Sequence, residues 1–407
     1  MGSWFLSCGA ECAIITEGAS AAADAHWSSV AGTPTIETSI VRSGSRSHKF
    51  AANATRAGLT PPVPASQSVL YFRHYLYFDA VSQATDVTLV LGTVAVANNF
   101  VLVLKTTNVI EASFGSGVAA SSSAAIAANE WIGVECQVDM SANPHTIKWR
   151  MWRASTGWVS QSGGTRATSA DTFTAYKFGQ VSGGPTSSWN MYADDSVGFL
   201  GTTTDEQYSA STSKGGSVVR LLPTADLAHS FTLGDFKDNS GSNIATSSTT
   251  VYQLVDDSDQ TSLSDYVQQA VSHTGAYVQC SFADLSTGGT PRVVGVVSTH
   301  HSSGANANEM HLRVSDDGTN WTNVWGDWST TGKDISDTSA HYLTKCLASK
   351  PSSGSWTASA VNGMRFQWGN SDDIADVPYI DGISLEVDVL DVSGMRDPFG
   401  MSGFFGV

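Results

Sequence analysis

No long stretch of this chain repeats its apolar residues at the three-and-four spacing that lays a stripe along a helix. Instead, short runs of β-branched and aromatic residues recur, broken roughly every ten residues by Gly, Pro, Asn, Asp or Ser. That rhythm predicts an all-β chain. Strands are expected over Ser68–Phe78, Trp131–Val138, Thr146–Trp152 and Trp189–Leu200. In the second half they are expected over Val218–Leu222, Val251–Val255, Ala276–Ala283, Val293–Thr299, Glu309–Ser315, His341–Ala348 and Ile383–Leu390. The Ala-rich stretch Ala119–Ala128 reads as a turn, and Ser264–Ala270 reads as a strand with a short helix near Leu263–Val271 as the alternative.

The two halves close on the same pattern. Tyr192 and Asp194 lead into Ser196–Leu200, and Tyr379 and Asp381 lead into Ile383–Val387. A sandwich often finishes this way, with its last strand returning to the middle of a sheet. The expected fold is therefore two tandem antiparallel β-sandwiches of jelly-roll type with a short C-terminal arm. Residues 1–200 are expected to form the first sandwich, 201–216 a polar linker, 217–390 a second sandwich and 391–407 the arm. With 407 residues and 41% hydrophobic content, each half has enough apolar material for its own core.

Charged residues make up only 14% of the chain, against about a quarter in an average protein, and Ser, Thr, Ala and Gly take their places. Such a surface is smooth and low in side-chain entropy, which suits packing against neighbours in an assembly. The net charge of -16, with Lys and Arg scattered, argues against nucleic acid as a partner. The start, Met1 to Cys8, lacks the basic and apolar regions of a secretory leader, Leu6 breaks the myristoylation pattern, and no apolar run is long enough to span a membrane. Synthesis in a cytoplasm and no membrane partner are expected. The five cysteines, Cys8, Cys12, Cys136, Cys280 and Cys346, read as reduced thiols, and Cys8 with Cys12 has no second ligand pair at zinc spacing. No metal or other cofactor is expected.

Taken in order, several stretches resemble phage minor tail proteins of actinobacterial viruses. These are Ser68–Phe78, Glu130–Glu135, Tyr192–Phe199, Arg220–Asp226, Tyr252–Asp257 and Asp265–Val267, and together they span nearly the whole chain. The resemblance implies that residues 1–200 are a laminin-G-like or concanavalin-like jelly roll followed by a second sandwich, in a structural protein of the virion. The function it implies is non-enzymatic: a minor tail, tail-tip or fibre protein, with a capsid-surface appendage as the alternative. Its partners would be other virion proteins and copies of itself.

Enzymatic readings rest on fragments. Glu386, Asp388 and Asp391 approximate the spacing by which jelly-roll glucanases aim three carboxylates at a sugar, but they read here as a solvated strand edge. Asp316–Trp321 is similar to a sialidase Asp-box, yet an Asp-Gly hairpin turn accounts for it. His300, His301, Glu309 and His311 suggest a metal cluster on paper, but strand alternation sends His300 and His301 to opposite faces. No catalytic residue is assigned. A second class of function is a carbohydrate-binding adhesion module. Trp321, Trp325 and Trp328 are its candidate glycan-binding residues, with packing in the second core or in an interface with another copy as the alternative, and a host surface glycan would be the partner. In the arm, Phe399, Met401, Phe404, Phe405 and Val407 are candidate assembly contacts, because glycines at 400, 403 and 406 disfavour a helix and leave an extended apolar segment to cover.

Overall fold

The computed structural model describes residues 3–10, 14, 25–51, 57–63, 67–82, 84–95, 99–115, 118–161, 163–167, 170–182, 189–201, 215–257, 259–261, 263–271, 275–286, 288–304, 309–328, 332–335, 338–369 and 376–390. Among them the strands form four sheets, and every pairing within the sheets is antiparallel. A nine-stranded sheet runs Gly157–Ser160, His145–Arg153, Trp131–Asp139, Val69–Phe78, Met191–Gly201, Ser47–Phe50, Thr35–Glu37. Ser3–Cys8 also pairs with Met191–Gly201, and Gly164–Arg166 with His145–Arg153. Facing it is a seven-stranded sheet in the order Val118–Ser122, Ile110–Phe114, Phe100–Leu104, Val87–Val94, Phe173–Ser182, Ala57–Thr60, Ser29–Ala31.

The second pair is smaller, with six strands in each sheet. One sheet runs Phe236–Asp238, Val267–Gln269, Pro378–Leu390, Thr290–Ser302, His341–Leu347, with Gly216–Leu221 also on Pro378–Leu390. The other runs Pro223–Asp226, Tyr277–Phe282, Arg365–Gly369, Glu309–Ser315, Thr322–Trp325, with Lys333–Asp334 on Glu309–Ser315. The chain is thus an all-β protein of jelly-roll-like sandwiches. Both closing strands do return to the middle. Met191–Gly201 lies between Val69–Phe78 on one edge and Ser47–Phe50 and Ser3–Cys8 on the other. Pro378–Leu390 lies between Thr290–Ser302 and the pair Val267–Gln269 and Gly216–Leu221.

Alternation explains what each face does. In Val69–Phe78 the residues Leu70, Phe72, Leu76 and Phe78 point into the first core with Val134, Leu89, Phe100 and Tyr176. In Pro378–Leu390 the residues Ile383, Leu385, Val387 and Val389 point into the second core with Val296, Leu312, Phe366 and Trp368. The opposite faces of these two strands are also buried. Tyr71, Val197 and Phe199 of the nine-stranded sheet meet Val218 and Val293 of a six-stranded sheet around Trp4, forming a third apolar cluster. The two sandwiches therefore stack face to face as four layers, and their central strands have no solvent side.

Three expectations are corrected. Val251–Leu254 is a 3-10 turn, not a strand, because the Asp226 carboxylate accepts hydrogen bonds from the Val251 and Tyr252 amides at 2.8 Å each. Of the strand over Ser264–Ala270 and the short helix near Leu263–Val271, the strand is found and the helix is not: Val267–Gln269 pairs with Phe236–Asp238 and Pro378–Leu390. Within the Ala-rich stretch, Val118–Ser122 pairs with Ile110–Phe114. The one α-helix among the described residues is Ala358–Asn362, capped by the Thr357 hydroxyl, which accepts from the Ala360 amide at 3.1 Å. Gly201 ends one strand and Gly216 begins another; of the expected linker, 202–214 lie outside the described residues, as does the arm with Phe399, Met401, Phe404, Phe405 and Val407.

Candidate functional site

The largest concentration of buried charge lies between the two sandwiches. Arg73, at the centre of Val69–Phe78, donates from Nη2 to Asp388 Oδ1 at 2.6 Å, and both side chains are fully buried. Arg292, from the start of Thr290–Ser302, donates from Nε to Asp388 Oδ2 at 2.7 Å. Its Nη1 donates to the Tyr71 hydroxyl at 3.1 Å, and that hydroxyl donates in turn to Glu135, which also receives Arg150. The Arg292 guanidinium also lies over the rings of Trp4 and Tyr71, at 4.5 and 5.1 Å. Burial opposes ionisation of Asp388, but the Arg292 and Arg73 guanidiniums outweigh it and hold the carboxyl below its usual range.

A second tie lies beside it. Asp195 receives Arg42 and accepts from the Val218 amide at 2.6 Å, while Arg42 Nη1 donates to the Gly216 carbonyl at 3.0 Å. Asp195 has φ of +49° and sits where the register of Met191–Gly201 shifts, between Asp194 and Val197. Its neighbour Asp194 accepts from the Arg42 amide at 2.9 Å; burial, and then the Asp195 charge, push its carboxyl well above the usual range. The matching Tyr-x-Asp of the second half also marks an irregularity. Asp381 stands beside the shift in the pairing of Pro378–Leu390 with Thr290–Ser302 and accepts from His301 Nδ1 at 2.8 Å. Burial raises its carboxyl to about 6 against the pull of His301.

These positions overturn the reading of Glu386 and Asp388 as a solvated edge. Both are wholly buried in a central strand, on the face turned to the first sandwich. Asp391 lies outside the described residues. The histidines are divided between two sheets: His300 and His301 on Thr290–Ser302, His311 and Glu309 on Glu309–Ser315. His300 is buried against Ser298, 2.9 Å from its hydroxyl, and desolvation lowers its pKa to about 3. Among the described residues no three His, Cys, Asp or Glu side chains gather as a metal-holding group. Cys136 and Cys280 are buried free thiols, with burial raising both well above the usual thiol range. The Asp-box-like segment is a hairpin tip: Asp317 accepts from the Thr319 and Asn320 amides at 2.8 Å each, and Gly318 takes φ of +81°.

The three candidate tryptophans part company. A register shift between Leu312 and Arg313 turns Trp325 inward, so it pairs with Leu312, lies in the second core and donates from Nε1 to Ser298 Oγ at 3.0 Å. It is no glycan platform. Trp321 and Trp328 remain on the outward face, half-buried, either side of Arg313. Arg313 went unnoticed in the sequence; an arginine between two apolar residues, Leu312 and Val314, on a predicted strand was the available signal.

No protein-family model and no curated protein matches this chain. Solved structures similar to it include an alginate lyase, vAL-1, from Chlorella virus, with 10% identity, 43% of this chain and 93% of the other covered, and a TM-score of 0.32. Domain 4 of AbnA, a GH43 extracellular arabinanase from Geobacillus stearothermophilus, in complex with arabinotriose, has 14% identity, coverage of 43% and 79%, and a TM-score of 0.31. Arcelin-5, a lectin-like defense protein from Phaseolus vulgaris, has 10% identity, coverage of 43% and 92%, and a TM-score of 0.29.

Proposed function

We propose that this chain is a non-enzymatic structural protein of a tailed-phage virion, a minor tail, tail-tip or fibre component, with a capsid-surface appendage as the variant of the same reading. Made in the host cytoplasm, it would join other virion proteins and copies of itself. The observation that carries the reading is the use made of Asp388. On the strand whose spacing is similar to a glucanase's, this carboxylate meets Arg292 of its own sandwich and Arg73 of the other. A group committed to two guanidiniums in a closed interface is a structural tie, not an acid awaiting a sugar. A face-to-face weld of two sandwiches suits a component that must hold its shape under load, and the low-charge surface suits close packing with neighbours.

The arm extends the proposal. Phe399, Met401, Phe404, Phe405 and Val407 would dock on another subunit or on a neighbouring virion protein. Mass spectrometry of purified particles is the direct test, with this chain's peptides expected and their absence overturning the virion assignment. Removing 395–407 should leave the protein soluble and folded but abolish its incorporation. Particles that take up the shortened protein normally would refute the assembly role of the arm.

A further inference from the structure

Five arginines that this fold uses in its ties, Arg42, Arg73, Arg150, Arg153 and Arg292, each rest on a carboxylate. Arg313 is held as firmly and has none among the described residues. Its Nε donates to Gln367 Oε1 at 2.7 Å, and Gln367 Nε2 donates to Gln279 Oε1 at 2.5 Å, a relay that orients the amide. The register places these side chains in one row across neighbouring strands, Gln279 beside Gln367, Gln367 beside Arg313. The guanidinium carbon lies 4.7 Å from the Trp321 ring centroid and 3.9 Å from that of Trp328, so stacking fixes its plane as the hydrogen bond fixes its rotation.

The two Nη groups are given no partner among the described residues, and the side chain is half-buried on the outward face of its sheet. Partial burial lowers the pKa of this guanidinium from its usual range, which leaves it a cation at any ordinary pH. A fixed planar fork of N–H donors suits a carboxylate. The half-buried indole of Trp321 beside it is a flat apolar group of the kind on which sugar rings stack.

We infer that this face of the second sandwich binds an acidic saccharide, a uronic or sialic acid whose carboxylate is forked by the Arg313 Nη groups while a neighbouring ring lies against Trp321. Gln279 and Gln367 act as positioning residues that hold the fork. The site is independent of the structural role proposed above, which stands if no sugar binds.

The test is a glycan array probed with the full-length protein, carrying uronic-acid and sialic-acid oligosaccharides, their methyl esters and neutral oligosaccharides of equal length. Calorimetric titration of the best ligand follows. Binding of an acidic saccharide is expected, with its methyl ester weaker by roughly tenfold or more, because charge-assisted bonds to the carboxylate are lost. Arg313→Gln should lose a similar factor, and Arg313→Lys should recover only part of it, since an ammonium lacks the fork. Far-UV circular dichroism checks the folding of both variants, and the ester comparison needs neither. Absence of any acidic ligand, equal binding of the ester, full affinity in a folded Arg313→Gln protein, or equal binding of an acidic peptide would each overturn the inference.

Discussion

Asp388 shows how much a single side chain carries in this fold. Arg73 is buried with it and Arg292 nearly so, and it is the one carboxylate either guanidinium pairs with among the described residues, so replacing it by Asn leaves two cations in a low-dielectric interface without that counter-charge. Asp388→Asn should destabilise the protein by about 3–5 kcal/mol, read as a lower urea midpoint at unchanged slope; a loss under about 1 kcal/mol would show the tie to be dispensable. His300 gives a pH-dependent signature. Its folded pKa near 3 lies below the ordinary 6.5, so its stabilising contribution is whole above pH 6.5 and declines as pH falls toward 3. Asp381, raised to about 6, acts in the opposite sense: its contribution is full below about 4 and lost as pH rises through 6. Comparing the parent with His300→Gln isolates the histidine: the gap in stability should change by about 1.4 kcal/mol per pH unit below 6.5. A gap that ignores pH would mean that His300 protonates without cost.

Among the elements, the strand Ser3–Cys8 has the most demanding position. It completes one edge of Met191–Gly201, yet its Ser7 hydroxyl donates to the Glu386 carbonyl of the other sandwich at 3.3 Å. Its Phe5 ring lies over Gly198, where an added Cβ would stand 2.5 Å from Phe5 Cζ. Gly198→Ala should therefore push this strand off its partner and cost about 1–3 kcal/mol, with faster amide exchange at Ser3–Cys8 than in the parent. Unchanged exchange there would show that Phe5 can turn aside. The turn at Val251–Leu254 depends in the same local way on Asp226, which caps two of its amides. Asp226→Ala should cost about 1–2 kcal/mol, and a neutral result would mean that water replaces the carboxylate.

At the scale of the molecule, the two sandwiches share a buried seam of ionic ties and a small apolar cluster around Trp4. Edge-to-face contacts of Trp4 with Tyr71 and Phe199, at 6.0 and 5.3 Å, close it from within. Opening this seam breaks the Arg73–Asp388 bridge between the halves and exposes the apolar cluster, so neither half should unfold alone. Calorimetry is expected to give one transition with equal van't Hoff and calorimetric enthalpies, and two resolved transitions would show independent halves.

The period-two pattern of Leu70, Phe72, Leu76 and Phe78 or of Leu385, Val387 and Val389 was enough to predict strands and the all-β class, because the pleat forces alternate side chains apart whatever surrounds them. The repeated Tyr-x-Asp endings pointed in the same way to two closing strands, each central in its sheet. What alternation cannot report is the material on the far side of a face. Arg73, Glu386 and Asp388 carry the residue types of a wet surface, and only the stacking of one sandwich on the other turned that surface into an interior. Pairing likewise decided the tryptophans: the register shift beside Leu312 sent Trp325 into the core and left Trp321 and Trp328 around Arg313. A bulge depends on how two strands pair, and alternation along one strand does not report it.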